Sequence, residues 1–321
     1  MLSVDYMADT MRAIIQDELG GPGVLHEASV RIPTPGIGEM LVRVHAAGVN
    51  PADFMNRQTG VFSGTPPFTL GWDVAGVVAA AGPGVTLFEP GDEVFGLLPF
   101  PRGAGAYAEY VVAPTRALIR KPEALSFTEA ASLPLAGLTA WQMLAETAHI
   151  NEGSTLLITG ATGGVGHLAV QISKALGAHV TAVVSGQNAE LARKLGADAV
   201  IDYTSADFSK EVQRLDVVFD VIGGDYPLRA LDVLRPGGML VSTLPQSLGP
   251  ARAAAAERGL RVAGVFVESD RLGLMKITEL VVTGKLTPLI ARTFPLERAD
   301  QAHSFKGQGK VVLEVRPQEP R

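Results

Sequence analysis

Cysteine is absent from the 321-residue chain, and this absence removes several classes of chemistry at once. Disulfide bonds, thiolate nucleophiles and cysteine zinc sites are excluded together. The sequence also has no Lys/Arg run, and its acids and bases are interspersed to a net charge of -6. A nucleic acid or a lipid surface is therefore not an expected partner, because either would need concentrated positive charge.

Hydrophobic runs long enough to span a bilayer are absent as well. The first residues, "MLSVDYMADT", lack the basic and then apolar pattern of a secretion signal. The 36 Gly and 21 Pro stand in short clusters, which is typical of turns rather than of low-complexity sequence. We therefore expect a soluble, cytoplasmic globular protein.

The chain is long enough, and at 47% hydrophobic residues apolar enough, for two domains. In its first third, short β segments such as "RAIIQDE", "MLVRVHAAGV" and "DVAGVVAAAG" alternate with turn clusters such as "PTPGIGE" and "EPGDE". Strands this short and this regularly interrupted predict a partly open β-barrel or a β-sandwich.

Strands alternate with helical patterns from about residue 130 onwards. Apolar runs such as "STLLIT", "HVTAVV" and "DVVFDVIG", separated by helices, predict an α/β fold with a doubly wound parallel sheet of the Rossmann type. The tail "GKVVLEV" returns to β character and can pair with the first domain. We therefore expect a discontinuous first domain of residues 1–129 and 287–321, and a second domain of residues 130–286.

A glycine-rich loop, Thr159–Gly166, follows the run "STLLIT" and opens a helix. Gly160 and Gly163 suit tight turns, and Gly164 and Val165 would offer N–H groups at a helix N-terminus, where anions are favoured. The sequence "GATGGVG" departs from the strict G-x-G-x-x-G order, but its strand–loop–helix context predicts a dinucleotide site. A glycine-rich turn without a ligand is the alternative.

The end of the next strand bears on the choice of cofactor. An NAD site commonly has Asp or Glu about 20 residues after the loop, whereas this chain has "VVSGQN" there. Ser185 and Asn188 can donate hydrogen bonds and Arg193 could add charge, which favours NADPH over NADH. The same residues could instead serve only as cap and turn. Tyr203, after the third strand, could lie near the adenosine phosphate or simply pack on the sheet.

With these residues in view, the chain from about Met11 to Val315 resembles the medium-chain dehydrogenase/reductase superfamily. Within it, the chain is most similar to the zinc-independent quinone oxidoreductases, the zeta-crystallin-like group. The stretches that carry the resemblance are "AAGVNPADF", "PFTLGWDVAGVV", "GPGVTLFEPGDEVFG", "AYAEYVVA", "ASLPLAGLTAWQML", "TGATGGVGHLAVQISKALGA", "LGADAVIDY" and "GKVVLEV". They are more specific for the superfamily than for the substrate.

The resemblance implies a GroES-like domain that holds the substrate, a Rossmann domain that holds NADPH, and a homodimer formed through the edge strand "LRVAGVFV". By motif position, Asn50 would lie near the nicotinamide and the acceptor's carbonyl, and Asp53 would order that loop. Thr139 would contact the cofactor, and Lys310 would lie near its phosphate end or at the cleft edge. Gly163, Gly164 and Val165 would hold the pyrophosphate of the cofactor. Ser185 and Tyr203 would flank its 2′-phosphate, and Phe266 and Val267 would offer backbone groups to its carboxamide.

Zinc-dependent members of the superfamily place Cys where Asn50 stands and His where Trp72 stands, and they carry a cysteine-rich structural zinc loop. This chain has none of these, and its six histidines lack paired ligand spacing, so we expect no metal. Without such a Lewis acid the acceptor must already be electron-poor. Quinones and α,β-unsaturated carbonyls meet this condition, so a small-molecule acceptor of this kind is expected.

Two departures from the family pattern bear on the reaction. The loop "FMNRQTGVFSGTPPF" contains no Tyr, which many members carry there, so water could protonate the product. Asn188 stands where Lys is common, which weakens the argument for NADPH. The first hypothesis is an NADPH-dependent quinone oxidoreductase. An enone or enoyl-thioester reductase is the second, and a non-catalytic NADPH-binding protein is the third.

Overall fold

The fold is described from a computed structural model of the chain, over residues 10–103 and 105–316. The first nine residues of the N-terminal stretch that lacks a secretion pattern, and the last five residues of the expected first domain, lie outside the described residues. Among the residues that are described, no helix combines the length and the apolar character that a membrane span requires.

The strands are β1 (Thr10–Gln16), β2 (His26–Arg31), β3 (Glu39–Val49), β4 (Phe68–Thr69), β5 (Asp73–Ala81), β6 (Glu93–Leu97), β7 (Tyr110–Pro114), β8 (Leu118–Arg120), β9 (Thr155–Thr159), β10 (His179–Val184), β11 (Ala199–Asp202), β12 (Leu215–Asp220), β13 (Leu234–Ser242), β14 (Arg261–Gly264), β15 (Ile290–Pro295) and β16 (Lys310–Glu314). The α-helices are α1 (Pro51–Thr59), α2 (Phe127–Ala131), α3 (Pro134–Trp141), α4 (Gly166–Ala175), α5 (Ala189–Lys194), α6 (Phe208–Glu211), α7 (Tyr226–Ala230), α8 (Gly249–Glu257), α9 (Arg271–Val282) and α10 (Ala299–Ser304). A π-helical turn, Gln142–Thr147, continues α3.

One parallel sheet has the strand order β11-β10-β9-β12-β13-β14. Numbered within the sheet this is 3-2-1-4-5-6, the Rossmann order, and the direction of winding reverses between β9 and β12. Leu157, Val183, Val218 and Leu240, on four neighbouring strands, are at most 1% exposed, as expected for strands covered on both faces. The predicted doubly wound sheet is confirmed.

The other strands form two sheets. One has the order β15-β16-β3-β5-β6-β8 with β7 also paired to β3, and the other has the order β2-β1-β4. Register shifts between Leu41 and Val42, and again between Val44 and Ala46, interrupt the pairing of the long strand β3 with β5, and such irregularities bend a strand. The tail strand β16 pairs antiparallel with β3, as the β character of "GKVVLEV" predicted. This is the GroES-like β domain that the resemblance implied.

The chain divides into two compact units. The first unit runs up to Leu135, takes in Ser269–Leu274 and resumes at Ile290, and the second holds Ala136–Glu268 and Met275–Leu289. The expected boundaries, after residues 129 and 286, fall a few residues before the observed ones. The N–H of Leu135 donates to the Asp73 carboxylate at 2.6 Å, which keeps this segment with the first unit. The return of Ser269–Leu274 to the first unit was not expected from the sequence.

Candidate functional site

The loop after β9 presents a row of backbone donors at the start of α4. The Gly163 N–H donates to the Gly160 carbonyl at 2.9 Å and closes the turn. In the described part of the chain, the N–H groups of Gly164, Val165 and Gly166 have no backbone acceptor. Free N–H groups at a helix N-terminus bind anions. The donor set therefore fits the pyrophosphate of a dinucleotide, as the sequence predicted.

Two close contacts make this loop rigid. A Cβ at Gly166 would lie 2.1 Å from the Gly160 carbonyl oxygen, so only glycine lets α4 begin this close to the loop. The imidazole of His167 is buried; its Nδ1 lies 2.9 Å from the Gly163 carbonyl and its Nε2 accepts the Leu289 N–H at 3.0 Å. Since Nε2 accepts, the ring proton is on Nδ1 and is donated to Gly163. The helix start is thus fixed from two directions.

The two residues expected at the 2′-phosphate follow neighbouring strands. Val184 and Asp202 are partners in the parallel pairing of β10 with β11, so Ser185 and Tyr203 lie at the same edge of the sheet. The Ser185 hydroxyl accepts from Asn188 Nδ2 at 2.9 Å. Tyr203 is 53% exposed, which leaves its ring available to a ligand.

A carboxylate that the sequence reasoning missed stands at this same edge. The Asp202 side chain accepts from the N–H and hydroxyl of Thr204, at 2.9 and 2.7 Å. These bonds, together with the Gly186 N–H, hold the pKa of Asp202 below its ordinary value. The segment after β10 is free of acids, but parallel pairing brings an acid from the next strand beside it. Its oxygens accept from Thr204 in its own turn and from the Gly186 N–H in the segment after β10.

The segment that carries Phe266 and Val267 is held by an amide side chain. Gln142 Nε2 donates to the Glu268 carbonyl, and Gln142 Oε1 accepts the Glu268 N–H, both at 3.0 Å. This pair of bonds orients the backbone in which carboxamide contacts are expected. Thr139 lies one turn earlier on α3 and is 6% exposed. Sequence reasoning missed Gln142, because its partner is 126 residues away.

In the first unit, three polar side chains form what we call the amide cluster: Asn50, Asp73 and Lys310. Lys310 Nζ donates to Asn50 Oδ1 and lies 3.3 Å from Asp73 Oδ2. Asn50 Nδ2 donates to the same Asp73 oxygen at 2.9 Å. None of the three residues is more than 3% exposed. The amide of Asn50 is thus bonded at its oxygen to a cation and at its nitrogen to an anion.

Sheet register explains why these side chains meet. Val311 on β16 pairs with Val49 on β3, and Gly48 on β3 pairs with Asp73 on β5. The three polar residues therefore stand near one end of three adjacent strands. Lys310 belongs to the first unit and binds Asp73, whereas the phosphate loop belongs to the second. The position of Lys310 relative to a bound cofactor, near its phosphate end or at the cleft edge, stays a prediction.

Asp53 lies beside the amide cluster and is fully buried. Its carboxylate accepts the Asn50 N–H at 2.8 Å and the Gly71 N–H at 3.0 Å, which ties the start of α1 to the segment before β5. Burial raises the pKa of Asp53 to about 7; the Asn50 N–H opposes the rise, the Asp73 charge adds to it, and Lys310 also opposes it. The expected ordering role of Asp53 agrees with these contacts.

Beyond Asp53 the buried polar chain continues through three side chains. Arg57 Nη1 lies 2.8 Å from His303 Nδ1, and His303 Nε2 lies 3.1 Å from the Tyr107 hydroxyl. Burial, and then the Arg57 charge, lower the pKa of His303 to about 3, so the ring is neutral. Because a guanidinium only donates, Nδ1 accepts and Nε2 carries the proton to Tyr107. The phenol, whose pKa burial and then the Asp53 charge raise well above 10, is left to donate to Asp53.

Aromatic side chains surround the position where zinc-dependent members have His. Trp72 is 0% exposed and packs edge to face against Phe62 and Phe100, with ring centroids 5.7 and 5.1 Å away. Its indole N–H has no hydrogen-bond partner among the described residues. Over residues 10–103 and 105–316, no group of three or more His, Asp or Glu is arranged to hold a metal ion.

Comparison with known families matches both halves of the chain. Residues 36–123 match the alcohol dehydrogenase GroES-like domain. Residues 195–313 match the family described as zinc-binding dehydrogenase. The first range covers β strands of the first unit. The second range covers the later strands of the parallel sheet and also β15 and most of β16, which belong to the first unit.

Individual relatives cover nearly the whole chain. The mouse protein named NAD(P)H oxidoreductase RTN4IP1, mitochondrial, is 37% identical over 86% of this chain and 82% of its own length. The 2-haloacrylate reductase of a Burkholderia species is 35% identical over 94% of this chain and 98% of its own. The crystal structure of Escherichia coli quinone oxidoreductase complexed with NADPH is 29% identical, with a TM-score of 0.87 over 94% of this chain and 99% of its own. The chain therefore belongs to the medium-chain dehydrogenase/reductase superfamily of oxidoreductases, which confirms the resemblance drawn from its sequence.

Proposed function

We propose that this chain is an NADPH-dependent oxidoreductase that reduces a quinone. The observation that supports a dinucleotide cofactor is the row of N–H groups at Gly164, Val165 and Gly166. Among the described residues these groups have no backbone acceptor, and they fit a pyrophosphate. Ser185 and Tyr203, side by side at the sheet edge, supply a hydroxyl and an exposed phenol for the 2′-phosphate. The related Escherichia coli enzyme is complexed with NADPH, which supports the same choice here. The cofactor, when bound, supplies a hydride.

The chain's own residues favour an acceptor whose charge develops on oxygen. Asn50 offers an amide N–H at the position where zinc-dependent members have a metal ligand, and a hydrogen-bond donor there stabilises a developing oxyanion. The residues 54–68 contain no Tyr to protonate a carbon atom. Hydride addition to a quinone leaves a phenolate-like oxygen that water protonates readily. Reduction of a quinone therefore does not require a side chain positioned to protonate a carbon atom.

Enones and enoyl-thioesters are the second candidate acceptors. The similarity to a 2-haloacrylate reductase, whose name describes the reduction of a conjugated alkene, favours them. The same Asn50 donor would stabilise the enolate oxygen. Protonation of the α-carbon would then come from solvent, since the loop lacks a Tyr.

Rapid-mixing kinetics with two acceptor panels separate these candidates. NADPH oxidation would be followed with 1,4-benzoquinone and naphthoquinones, and in parallel with 2-alkenals, enones and acrylate derivatives. Faster turnover of the quinones supports the proposal. Turnover of the alkenes alone, with deuterium from labelled NADPH recovered at the β-carbon, would replace it by the second candidate.

A protein that binds NADPH without turnover is the third candidate. Calorimetric binding of NADPH, with no oxidation above the uncatalysed rate in either panel, would support it over both reductases. The homodimer and the cytoplasmic location stay predictions. Light scattering at several protein concentrations tests the first, and localisation of a tagged chain in its native cell tests the second.

A further inference from the structure

Lys310 and Asp73 bind opposite ends of one side-chain amide. The Lys310 ammonium donates to Asn50 Oδ1, and Asn50 Nδ2 donates to Asp73 Oδ2 at 2.9 Å. The two charged groups are themselves 3.3 Å apart. If the amide turned over, its NH2 would face the ammonium and its oxygen would face the carboxylate, and both contacts would be repulsive. The ion pair therefore selects one orientation of Asn50.

In this orientation, one of the two N–H bonds of the Asn50 amide has no hydrogen-bond partner among the described residues. The NH2 of Asn50 has two hydrogens, and among the described residues only Asp73 is bonded to it. The Lys310 contact also withdraws electron density from the amide, because chained hydrogen bonds polarise one another. A polarised N–H of fixed direction is what stabilisation of an oxyanion requires.

The backbone is shaped to admit this arrangement. A Cβ at Gly48 would lie 2.5 Å from Asp73 Oδ2 and 2.4 Å from the Ala131 carbonyl oxygen, so the carboxylate occupies space that only glycine leaves. A buried ion pair is weak evidence of stability, since desolvation offsets the attraction. The Lys310–Asp73 pair binds the amide of Asn50, which is expected to meet the acceptor. This position indicates a role other than stability.

We propose that Lys310 and Asp73 are positioning residues that orient the Asn50 amide and direct its second N–H to the acceptor's oxygen. The proposal rests on the proposed function, in which that oxygen gains charge during hydride transfer. It assigns Lys310 to the acceptor rather than to the cofactor phosphates.

The test compares two buried lysines. Lys310→Met removes the ammonium from the amide cluster. Lys121→Met is the matched control, because the Lys121 side chain is also fully buried in the first unit, where its Nζ bonds the Leu125 carbonyl at 2.7 Å and the Glu93 carboxylate at 2.8 Å. We expect both variants to lose thermal stability, but only Lys310→Met to lose kcat, by about 100-fold, as expected for a misplaced catalytic group. NADPH affinity, measured by cofactor fluorescence, should be unchanged in both.

Asp73→Asn provides a second route to the same conclusion if Lys310→Met folds poorly. It keeps the shape of the side chain and removes the charge that selects the amide orientation. We expect kcat to fall while KM for the acceptor changes less. A loss of kcat in Lys310→Met and Asp73→Asn no greater than in Lys121→Met would overturn the proposal. Weakened NADPH binding with unchanged kcat would return Lys310 to the cofactor site.

A spectroscopic measurement does not depend on turnover. The chain has only four asparagines, Asn50, Asn56, Asn151 and Asn188, so protein labelled with 15N-asparagine shows four side-chain NH2 pairs. The pair of Asn50 should shift and broaden in Lys310→Met and stay unchanged in Lys121→Met. No change in Lys310→Met contradicts the proposed orientation even if the wild type reduces quinones. Absence of wild-type turnover with the expected NMR change would instead count against the proposed function alone.

Discussion

Several ionisable side chains are buried in the first unit, and hydrogen bonds join them to other parts of that unit. Asp53 is central to this group, since it receives the Asn50 and Gly71 N–H groups and stands beside Asp73. Its pKa is raised because burial penalises the carboxylate more than these donors favour it. The protonation of this residue therefore affects stability over the neutral range.

We expect Asp53 to make the free energy of unfolding fall as pH rises from about 4 to about 7. The folded-state pKa of about 7 exceeds the ordinary 3.8, so the folded chain keeps a proton that the unfolded chain releases. The stabilisation is present below the ordinary pKa and lost as pH rises through 7, and about three pKa units correspond to about 4 kcal/mol. Denaturant unfolding from pH 4 to 8 measures it, with Asp53→Asn as the variant that cannot titrate.

The difference in unfolding free energy between wild type and Asp53→Asn should therefore shift with pH. A difference that stays constant over this range would contradict the prediction. Asp207→Asn is a control of opposite sign, because the Arg229 guanidinium holds the pKa of Asp207 below its ordinary value. Its stabilisation should stay nearly constant from pH 4 to 8 and be lost only as pH falls below the ordinary pKa of 3.8.

At the scale of secondary-structure elements, two glutamines act as clamps in the second unit. Gln142 bonds both backbone groups of Glu268, and Gln171 bonds both backbone groups of Thr287, at 3.0 and 2.9 Å. Each clamp joins a helical segment to a distant irregular segment of backbone. Only the first orients residues expected at the cofactor.

Gln142→Ala should speed hydrogen exchange at the Glu268 amide by about 10-fold or more, since two hydrogen bonds of about 1 kcal/mol each are lost. Gln171→Ala is the matched control and should release Thr287 while Glu268 stays protected. Amide exchange followed by NMR distinguishes the two sites. Equal protection of Glu268 in both variants would show that Gln142 does not hold this segment.

The strand–loop–helix element depends on close backbone contact. Gly166→Ala should destabilise the protein by about 3 kcal/mol, because its Cβ would lie 2.1 Å from the Gly160 carbonyl oxygen. Gly163→Ala, whose Cβ would lie 3.3 Å from the same oxygen, should cost less than about 1 kcal/mol. Thermal and denaturant unfolding compare them. Equal stability of the two variants would mean that the helix start shifts freely to make room.

At the scale of the whole molecule, the description of the matched family names zinc, but the residues of this chain do not include the zinc ligands of the zinc-dependent members. The chain matches a family described as zinc-binding dehydrogenase, yet it has no cysteine and has Asn50 and Trp72 where zinc-dependent members have ligands. Members of one fold family can differ in the residues at corresponding site positions.

Removal of metal ions should therefore leave the protein unaffected. After dialysis against a strong chelator we expect the same NADPH oxidation rate and the same unfolding midpoint, because we expect neither hydride transfer nor folding to use a bound cation. Elemental analysis of the dialysed sample verifies the removal. Activity that is lost and then restored by zinc would contradict the prediction.

Much of the architecture could be predicted because it rests on local patterns. Apolar runs separated by helical spacing identified most strands of the parallel sheet, and the position of "GATGGVG" between a strand and a helix identified the phosphate loop. Short elements were missed, among them β2, β4, β8 and α8.

The sequence by itself determined the fold class, the family, the phosphate loop and the lack of cysteine ligands, because each depends on residues close together in the chain or on composition. Only the tertiary structure decided where Lys310 binds, which carboxylate stands beside Ser185, and how Gln142 holds Glu268. These contacts join residues far apart in sequence; Lys310 and Asn50 are separated by 260 positions. They follow from strand order and register, and those are set by packing of the whole core rather than by any local pattern.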